Sequence, residues 1–255
     1  MEAKQISKGN WLIEVTKEDK KKIACIVDQL KAKTELPRYG KWKNMSSEDL
    51  WEELLSQFCV MGSARLIEKL QANPQRYSEF LKKLSIETLS RVKLNQEEYV
   101  ATQLKEYKAT RFHNKTAERI VNCLENEEIV KDGKIVFLED LKKQEALDED
   151  LMRNLLLEKL PFFKMKSISD LMITIGAARD VIAFDTRVVG LLNKHFGLNV
   201  RLDKIQSNAI LYKLIERKLR EICGELGIEL SLVDRMLFKF SGSAIDYIIE
   251  VECGL

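Results

Sequence analysis

The sequence is short of the residues that interrupt helices, with three prolines and eleven glycines among 255 residues, so long helices are easy to accommodate. It has no apolar run near the roughly 18 residues that a membrane span requires. Met1-Glu2-Ala3-Lys4-Gln5 leads into no apolar signal core. The five cysteines (Cys25, Cys59, Cys123, Cys223, Cys253) are odd in number, widely spread and free of any CxxC pair. Neither a zinc knuckle nor a disulfide framework is therefore expected, and a reducing compartment fits best. An excess of charge of one sign is missing too: 42 basic against 40 acidic residues leave a net charge of +2. Such a balance does not announce a nucleic-acid binder, so any contact with DNA must come from a local basic face.

What is present is an ordinary globular composition, 45% hydrophobic and 32% charged, which argues against disorder. The length suffices for one large domain or two small lobes, each with a core. Most of the chain has helical periodicity. Thr16 with Asp19 forms a capping pattern ahead of the stripe Ile23, Ile26, Val27 and Leu30, and Ser46 with Asp49 repeats it ahead of Leu50, Trp51, Leu54, Leu55, Phe58 and Met61, with Gly62 as a stop. Trp11–Val15 reads as a short strand or an extended arm. Ile129–Val136 reads as a hairpin turning on Asp132-Gly133, or as a loop. The stretch from Arg91 to Ile120 carries Arg91, Lys93, Lys105, Lys108, Arg111, Lys115 and Arg119 against Glu97, Glu98, Glu106 and Glu118, seven basic against four acidic residues. A solvated helix face accounts for such a stretch as readily as a DNA contact does.

The informative region runs from about Asp148 to Gly197. A helix carrying Leu151, Leu155 and Leu156 ends at Leu160-Pro161, and the turn Phe162-Phe163-Lys164-Met165 follows. Lys166 then opens a helix with Ile168, Leu171, Met172 and Ile175 on one face, closed by Gly176. Asp185 stands before a helix from Thr186 to Phe196, with Gly197 at its end. A last long helix carries Leu211, Leu214, Ile215, Leu219, Ile222 and Leu226.

The order helix, turn, Lys166, helix, loop, Asp185 resembles the helix-hairpin-helix DNA glycosylase superfamily. Ile182-Ala183-Phe184-Asp185-Thr186-Arg187-Val188-Val189 is similar to the segment around the essential aspartate of endonuclease III-like enzymes. Further matches resemble the short prokaryotic 8-oxoguanine DNA glycosylase/AP lyases: Gln57-Phe58-Cys59-Val60-Met61, Arg111-Phe112-His113-Asn114-Lys115 with Ala117-Glu118-Arg119-Ile120-Val121, and Lys166-Ser167-Ile168-Ser169. The resemblance covers roughly residues 47 to 197.

It implies an all-α, two-lobed helix-hairpin-helix fold. Residues 65–199 would form the lobe with the hairpin, and the N-terminal helices of 1–64 would pack with the C-terminal helices of 200–255, the active site lying in a cleft between the lobes. It implies excision of an oxidised purine, most readily 8-oxoguanine, with Lys166 as the Schiff-base nucleophile and Asp185 as its carboxylate partner. Lys164, Arg111, Lys115 and Arg187 would touch DNA, and Phe58, Gln57, Phe112, His113 and Phe163 are candidates for the base pocket or the wedge. No cofactor and no metal are expected. The partner would be damaged double-stranded DNA, with no membrane, and the protein a monomer in the cytoplasm or at the nucleoid. The hairpin departs from the family's usual Gly-x-Gly, so Lys164 is expected to supply the phosphate contact that backbone N–H groups otherwise make. The chain ends Cys253-Gly254-Leu255, where members of this branch often carry a basic residue beside the base pocket, and the iron–sulfur cysteines of endonuclease III relatives are missing.

The residue types suit this chemistry independently of the resemblance. Breaking an N-glycosidic bond builds positive charge on the sugar, which a nearby carboxylate stabilises. An amine at C1′ captures the sugar as a Schiff base and permits β-elimination of the 3′ phosphate. Desolvation beside Ile168 and Leu171 would favour the neutral, attacking amine. Plainer roles compete. Asp185 before Thr186 is first a helix N-cap, a role compatible with catalysis; Cys59 and Phe58 suit a core; His113 suits a surface. Two alternatives stay open: the same fold acting on an oxidised pyrimidine or an alkylated base, or a non-catalytic helical module binding DNA or protein.

Overall fold

The structure is a computed structural model and describes residues 1–7, 10–60, 64–92, 94–143 and 148–254. It is nearly all helical. In chain order it comprises strands β1 (Glu2–Ser7) and β2 (Asn10–Glu14), then helices α1 (Lys17–Leu30), α2 (Ser47–Cys59), α3 (Arg65–Gln71), α4 (Pro74–Lys83), α5 (Ile86–Arg91), α6 (Gln96–Glu106) and α7 (His113–Glu125). Two short strands, β3 (Val130–Lys131) and β4 (Lys134–Ile135), precede α8 (Val136–Lys142), α9 (Glu149–Lys159), α10 (Met165–Thr174), α11 (Thr186–Phe196), α12 (Leu202–Ser207), α13 (Ala209–Glu225), α14 (Leu230–Lys239) and α15 (Ser243–Tyr247). The chain closes on a π-helical turn over Ile248–Glu252.

Two compact units form. One joins Met1–Tyr39 with Phe163–Leu255, and the other is the continuous segment Gly40–Phe162. This division differs from the expected one. Residues 163–199, with Lys166 and Asp185, fall with the terminal segments and not with a lobe of 65–199, because their hydrogen-bond partners lie on the C-terminal helices.

In the continuous unit α2 is the central element. Its capping box is complete: Ser46 Oγ accepts the Asp49 N–H and the Asp49 carboxylate accepts the Ser46 N–H. Trp51, Leu54, Leu55 and Phe58 are fully buried along it, and Trp51 Nε1 donates to Leu84 O at 2.7 Å. Its C-cap is Val60; the expected stop at Met61-Gly62 lies outside the described residues, as do Lys93 of the basic stretch and the terminal Leu255. The Asp132-Gly133 reading holds. β3 and β4 pair antiparallel, with φ of 50° at Asp132 and 72° at Gly133, the two positive values a type I′ turn demands.

In the discontinuous unit Trp11–Val15 contributes β2, which pairs with the unanticipated β1. The Thr16–Asp19 capping box opens α1, which buries Ile23, Ile26, Val27 and Leu30 and packs against α13 and α14. α11 runs from Thr186 to Phe196 with Gly197 at its C-cap in the left-handed region, φ 63°, matching the expectation at both ends. α14 lies beyond α13, the last long helix that the periodicity predicts. Its Leu230, Val233, Met236 and Leu237 are buried at helical spacing.

The cysteine expectation is corrected. Cys25 on α1 and Cys253 past the π turn form a disulfide across 228 residues of sequence. Counting and spacing cannot reveal such a pair, because only the packing of α1 against the C-terminal segment brings the two together. Cys59, Cys123 and Cys223 are buried free thiols.

Candidate active site

Lys166 stands in the first turn of α10, after the Lys164 N-cap. The turn that enters this helix needs no glycine, since none of Pro161 to Lys164 has a positive φ. That is why Phe162-Phe163-Lys164 can stand where a glycine pair was the usual expectation. The Lys166 side chain is 15% exposed, and its Nζ lies 3.3 Å from Asp170 Oδ2, one helical turn on. Asp170 is engaged from α14 as well. Arg235 donates from Nη1 to Asp170 Oδ1 at 2.7 Å, and from Nη2 to the Asp170 carbonyl at 3.2 Å and Thr174 Oγ1 at 2.9 Å.

Arg235 Nη1 also lies 3.6 Å from Asp234 Oδ2. Asp234 is 1% exposed, and its Oδ1 accepts the Ala183 N–H at 2.8 Å. Burial pushes the Asp234 carboxyl up to about 7; the Arg235 charge opposes this, while the charges of Asp170 and Asp185 add to it. A chain of contacts thus runs Lys166, Asp170, Arg235, Asp234, Ala183, and ends two residues before Asp185. Asp185 is half-buried and is the N-cap of α11, its Oδ1 accepting the Val188 N–H at 2.8 Å. The capping role is therefore present, and it engages one of the two carboxylate oxygens.

The other expected residues fall into two groups. Lys164 is exposed, and Arg187 lies over the Phe238 ring at 4.2 Å. Both belong to the unit that carries Lys166. In the continuous unit, Arg111 and Lys115 are exposed at the start of α7, Phe112 is 50% exposed and His113 is intermediate. Phe58 is fully buried and Gln57 nearly so, and the Phe58 ring meets Phe162 at 6.2 Å. Phe163 is 5% exposed. Phe58 and Phe163 are thus core side chains, and of the aromatic wedge candidates only Phe112 presents its ring to solvent. Burial pushes the Cys59 thiol up to about 12, so it is no nucleophile at neutral pH.

The sequence reading does not single out Asp170, Asp234 or Arg235. Asp170 had a signal, its i+4 spacing from Lys166. Asp234 and Arg235 lie on α14, beyond the helices that the periodicity predicts. Elsewhere, His195, Asp246 and Glu250 bring donor atoms within 4.8 Å of one another. The Lys194 ammonium already occupies this group, at 2.8 Å from Asp246 and 3.7 Å from Glu250, and with His195 it holds the Asp246 carboxyl below its usual range.

This architecture is that of the helix-hairpin-helix DNA glycosylases. The match is narrower still: the family model of 8-oxoguanine DNA glycosylases matches residues 33–228, and the chain belongs to that family. The fold is similar to the 8-oxoguanine DNA glycosylase of Methanocaldococcus jannaschii, with a TM-score of 0.59 at 20% identity over 86% of this chain and 91% of that one. A structure of the M. jannaschii 8-oxoguanine glycosylase/lyase in complex with a 15mer DNA containing 8-oxoguanine aligns with a TM-score of 0.56 at 18% identity, over 87% of this chain and 89% of that one. The enzyme of Thermotoga maritima gives 0.55 at 19% identity, over 86% and 93%. No curated protein matches the sequence. Among the described residues no helix is long and apolar enough to cross a membrane.

Proposed function

We propose that the protein excises 8-oxoguanine from double-stranded DNA and then cleaves the strand through a Schiff base on Lys166. The observation that carries this reading is the partly buried Lys166 amine, joined by the Asp170–Arg235–Asp234 chain to the segment that presents Asp185. As the C1′–N bond breaks, its electron pair leaves with the base, and positive charge on the sugar is stabilised by Asp185. The neutral Lys166 amine forms the new bond to C1′. Loss of a proton and opening of the sugar ring give an iminium, from which β-elimination releases the 3′ phosphate. The amine must leave its Asp170 contact to attack.

Lys164 and Arg187, with Arg111 just before α7 and Lys115 on it, supply phosphate contacts, and Phe112 is the exposed ring suited to enter the stack. The protein acts as a monomer inside the cell, on damaged DNA. Borohydride trapping on an 8-oxoguanine duplex tests the reading. The parent becomes covalently linked to DNA and Lys166→Ala does not, while its melting temperature stays near parental, since Lys166 does not fill the core. Trapping of Lys166→Ala at the parental level would remove Lys166 as nucleophile. Trapping on duplexes with an oxidised pyrimidine but not on 8-oxoguanine would reassign the lesion, and no trapping on any lesion would favour a non-catalytic module.

A further inference from the structure

The segment Arg179–Phe184, which delivers Asp185 to the start of α11, has no regular secondary structure and is held by side chains of the C-terminal helices. Ser231 Oγ donates to Arg179 O at 2.6 Å and Arg220 Nε to Asp180 O at 2.9 Å. Glu216 Oε2 accepts the Ile182 N–H at 3.2 Å, and Asp234 Oδ1 accepts the Ala183 N–H at 2.8 Å. Tyr212 Oη lies 2.6 Å from Ile182 O and 3.4 Å from Phe184 N. A phenol has one proton; the shorter contact takes it, and towards Phe184 the oxygen accepts. Gln206 Nε2 donates to Phe184 O at 2.9 Å.

Ordinary loop satisfaction does not require two carboxylates in a core. Glu216 is 2% exposed and Asp234 1%, and burying such groups costs several kcal/mol unless they are well paired. Neutral acceptors would satisfy the same N–H groups at less cost, whereas a carboxylate binds them about twice as strongly and so fixes the backbone more tightly. The Asp234 carboxylate also meets Arg235, which holds the Asp170 partner of Lys166.

We propose that Asp234, with Glu216 and Tyr212, is a positioning residue for base excision: it fixes the Ile182–Phe184 backbone so that the Asp185 carboxylate stands where charge develops on the sugar. The proposal rests on the reading of Asp185 given above. It separates two reactions. Excision needs a placed Asp185, because a glycosidic bond must break. Schiff-base formation on a pre-formed abasic site has no such bond to break and needs only Lys166.

The test measures single-turnover excision of 8-oxoguanine beside borohydride trapping on a pre-formed abasic duplex. Asp234→Ala is expected to excise about tenfold more slowly, a loss of about 1.4 kcal/mol in transition-state stabilisation, while trapping on the abasic site stays within about twofold. Asp234→Asn is expected to fall between Asp234→Ala and the parent, since its amide oxygen still accepts the Ala183 N–H but without the carboxylate's charge. Tyr212→Phe, which keeps the ring and loses the hydroxyl, should show the same split at about fivefold, and it carries the test should Asp234→Ala fail to fold. Amide hydrogen exchange at Ala183, faster in Asp234→Ala than in the parent, reports the clamp independently of any activity. Excision within twofold of the parent in these variants, an equal fall of both reactions, or unchanged exchange at Ala183 would overturn the proposal. A parent that excises no lesion while Ala183 still loosens would instead overturn the functional reading, and the catalytic purpose of the clamp with it.

Discussion

Lys166 and Asp185 are placed in opposite ways. The amine meets an acidic partner four residues on, along the same helix. The carboxylate follows a segment whose peptide groups are held by side chains 22 to 51 residues away. Helical spacing alone brings Lys166 and Asp170 together, whereas α12, α13 and α14 must all be packed before Ile182–Phe184 has its partners. In the proposed reaction, a nucleophile on a long side chain tolerates local placement because it must move to attack, whereas a carboxylate that stabilises charge must already be in place.

The largest expected effect that sharpens this contrast is at Asp185. Asn caps a helix about as well as Asp, so Asp185→Asn should melt near the parental temperature. Excision should fall about a hundredfold, on the order of 3 kcal/mol of lost charge stabilisation. Single-turnover rates beside melting curves decide it, and a parental rate would reduce Asp185 to its cap.

A smaller effect concerns Asp234 and pH. Its carboxyl titrates at about 7 in the folded protein against an ordinary value of 3.8, so the folded state binds the proton more tightly than the unfolded one. The resulting stabilisation is complete below about pH 4 and is lost as pH rises through about 7. Relative to Asp234→Asn, the parent should lose on the order of one to a few kcal/mol between pH 4 and 8, read from melting curves of both proteins across that range. A constant difference would mean that the Asp234 carboxyl is charged throughout.

The smallest effect concerns Arg111 and Lys115, at the start of α7 in the continuous unit. Each phosphate contact contributes a slope of about 0.9 to the dependence of log affinity on log salt. Replacing Arg111 and Lys115 with Ala should therefore flatten the slope for undamaged duplex by up to about 2, with little change in excision at saturating protein. An unchanged slope would take α7 off the DNA face.

Legibility in the sequence followed the range of the interactions. α11 was read at both ends because Asp185 and Gly197 carry their own capping chemistry. The two capping boxes and the Asp132-Gly133 turn are equally local. The places of Lys166 in the first turn of α10 and of Asp185 at the N-cap of α11 were legible through their order and spacing around a turn. Asp234 and Arg235 look like solvated charges on a short amphipathic stretch, and only packing shows that Asp234 is buried and that Arg235 reaches Asp170. The disulfide was invisible for the same reason. Phe58 and Phe163 are candidates for the base pocket, yet the same apolar character suits a core, and both are buried.

The interruption of one unit by the other has a consequence for the order of events during synthesis. Every contact of the continuous unit is available once residue 162 has left the ribosome. The unit holding Lys166 and Asp185 must wait with α1 unpartnered until α13 and α14 have emerged, some 60 to 80 residues later, which at about 5–20 residues per second means several seconds. During that interval the stripe of Ile23, Ile26, Val27 and Leu30 is uncovered, and α1 is the element a nascent-chain chaperone would meet.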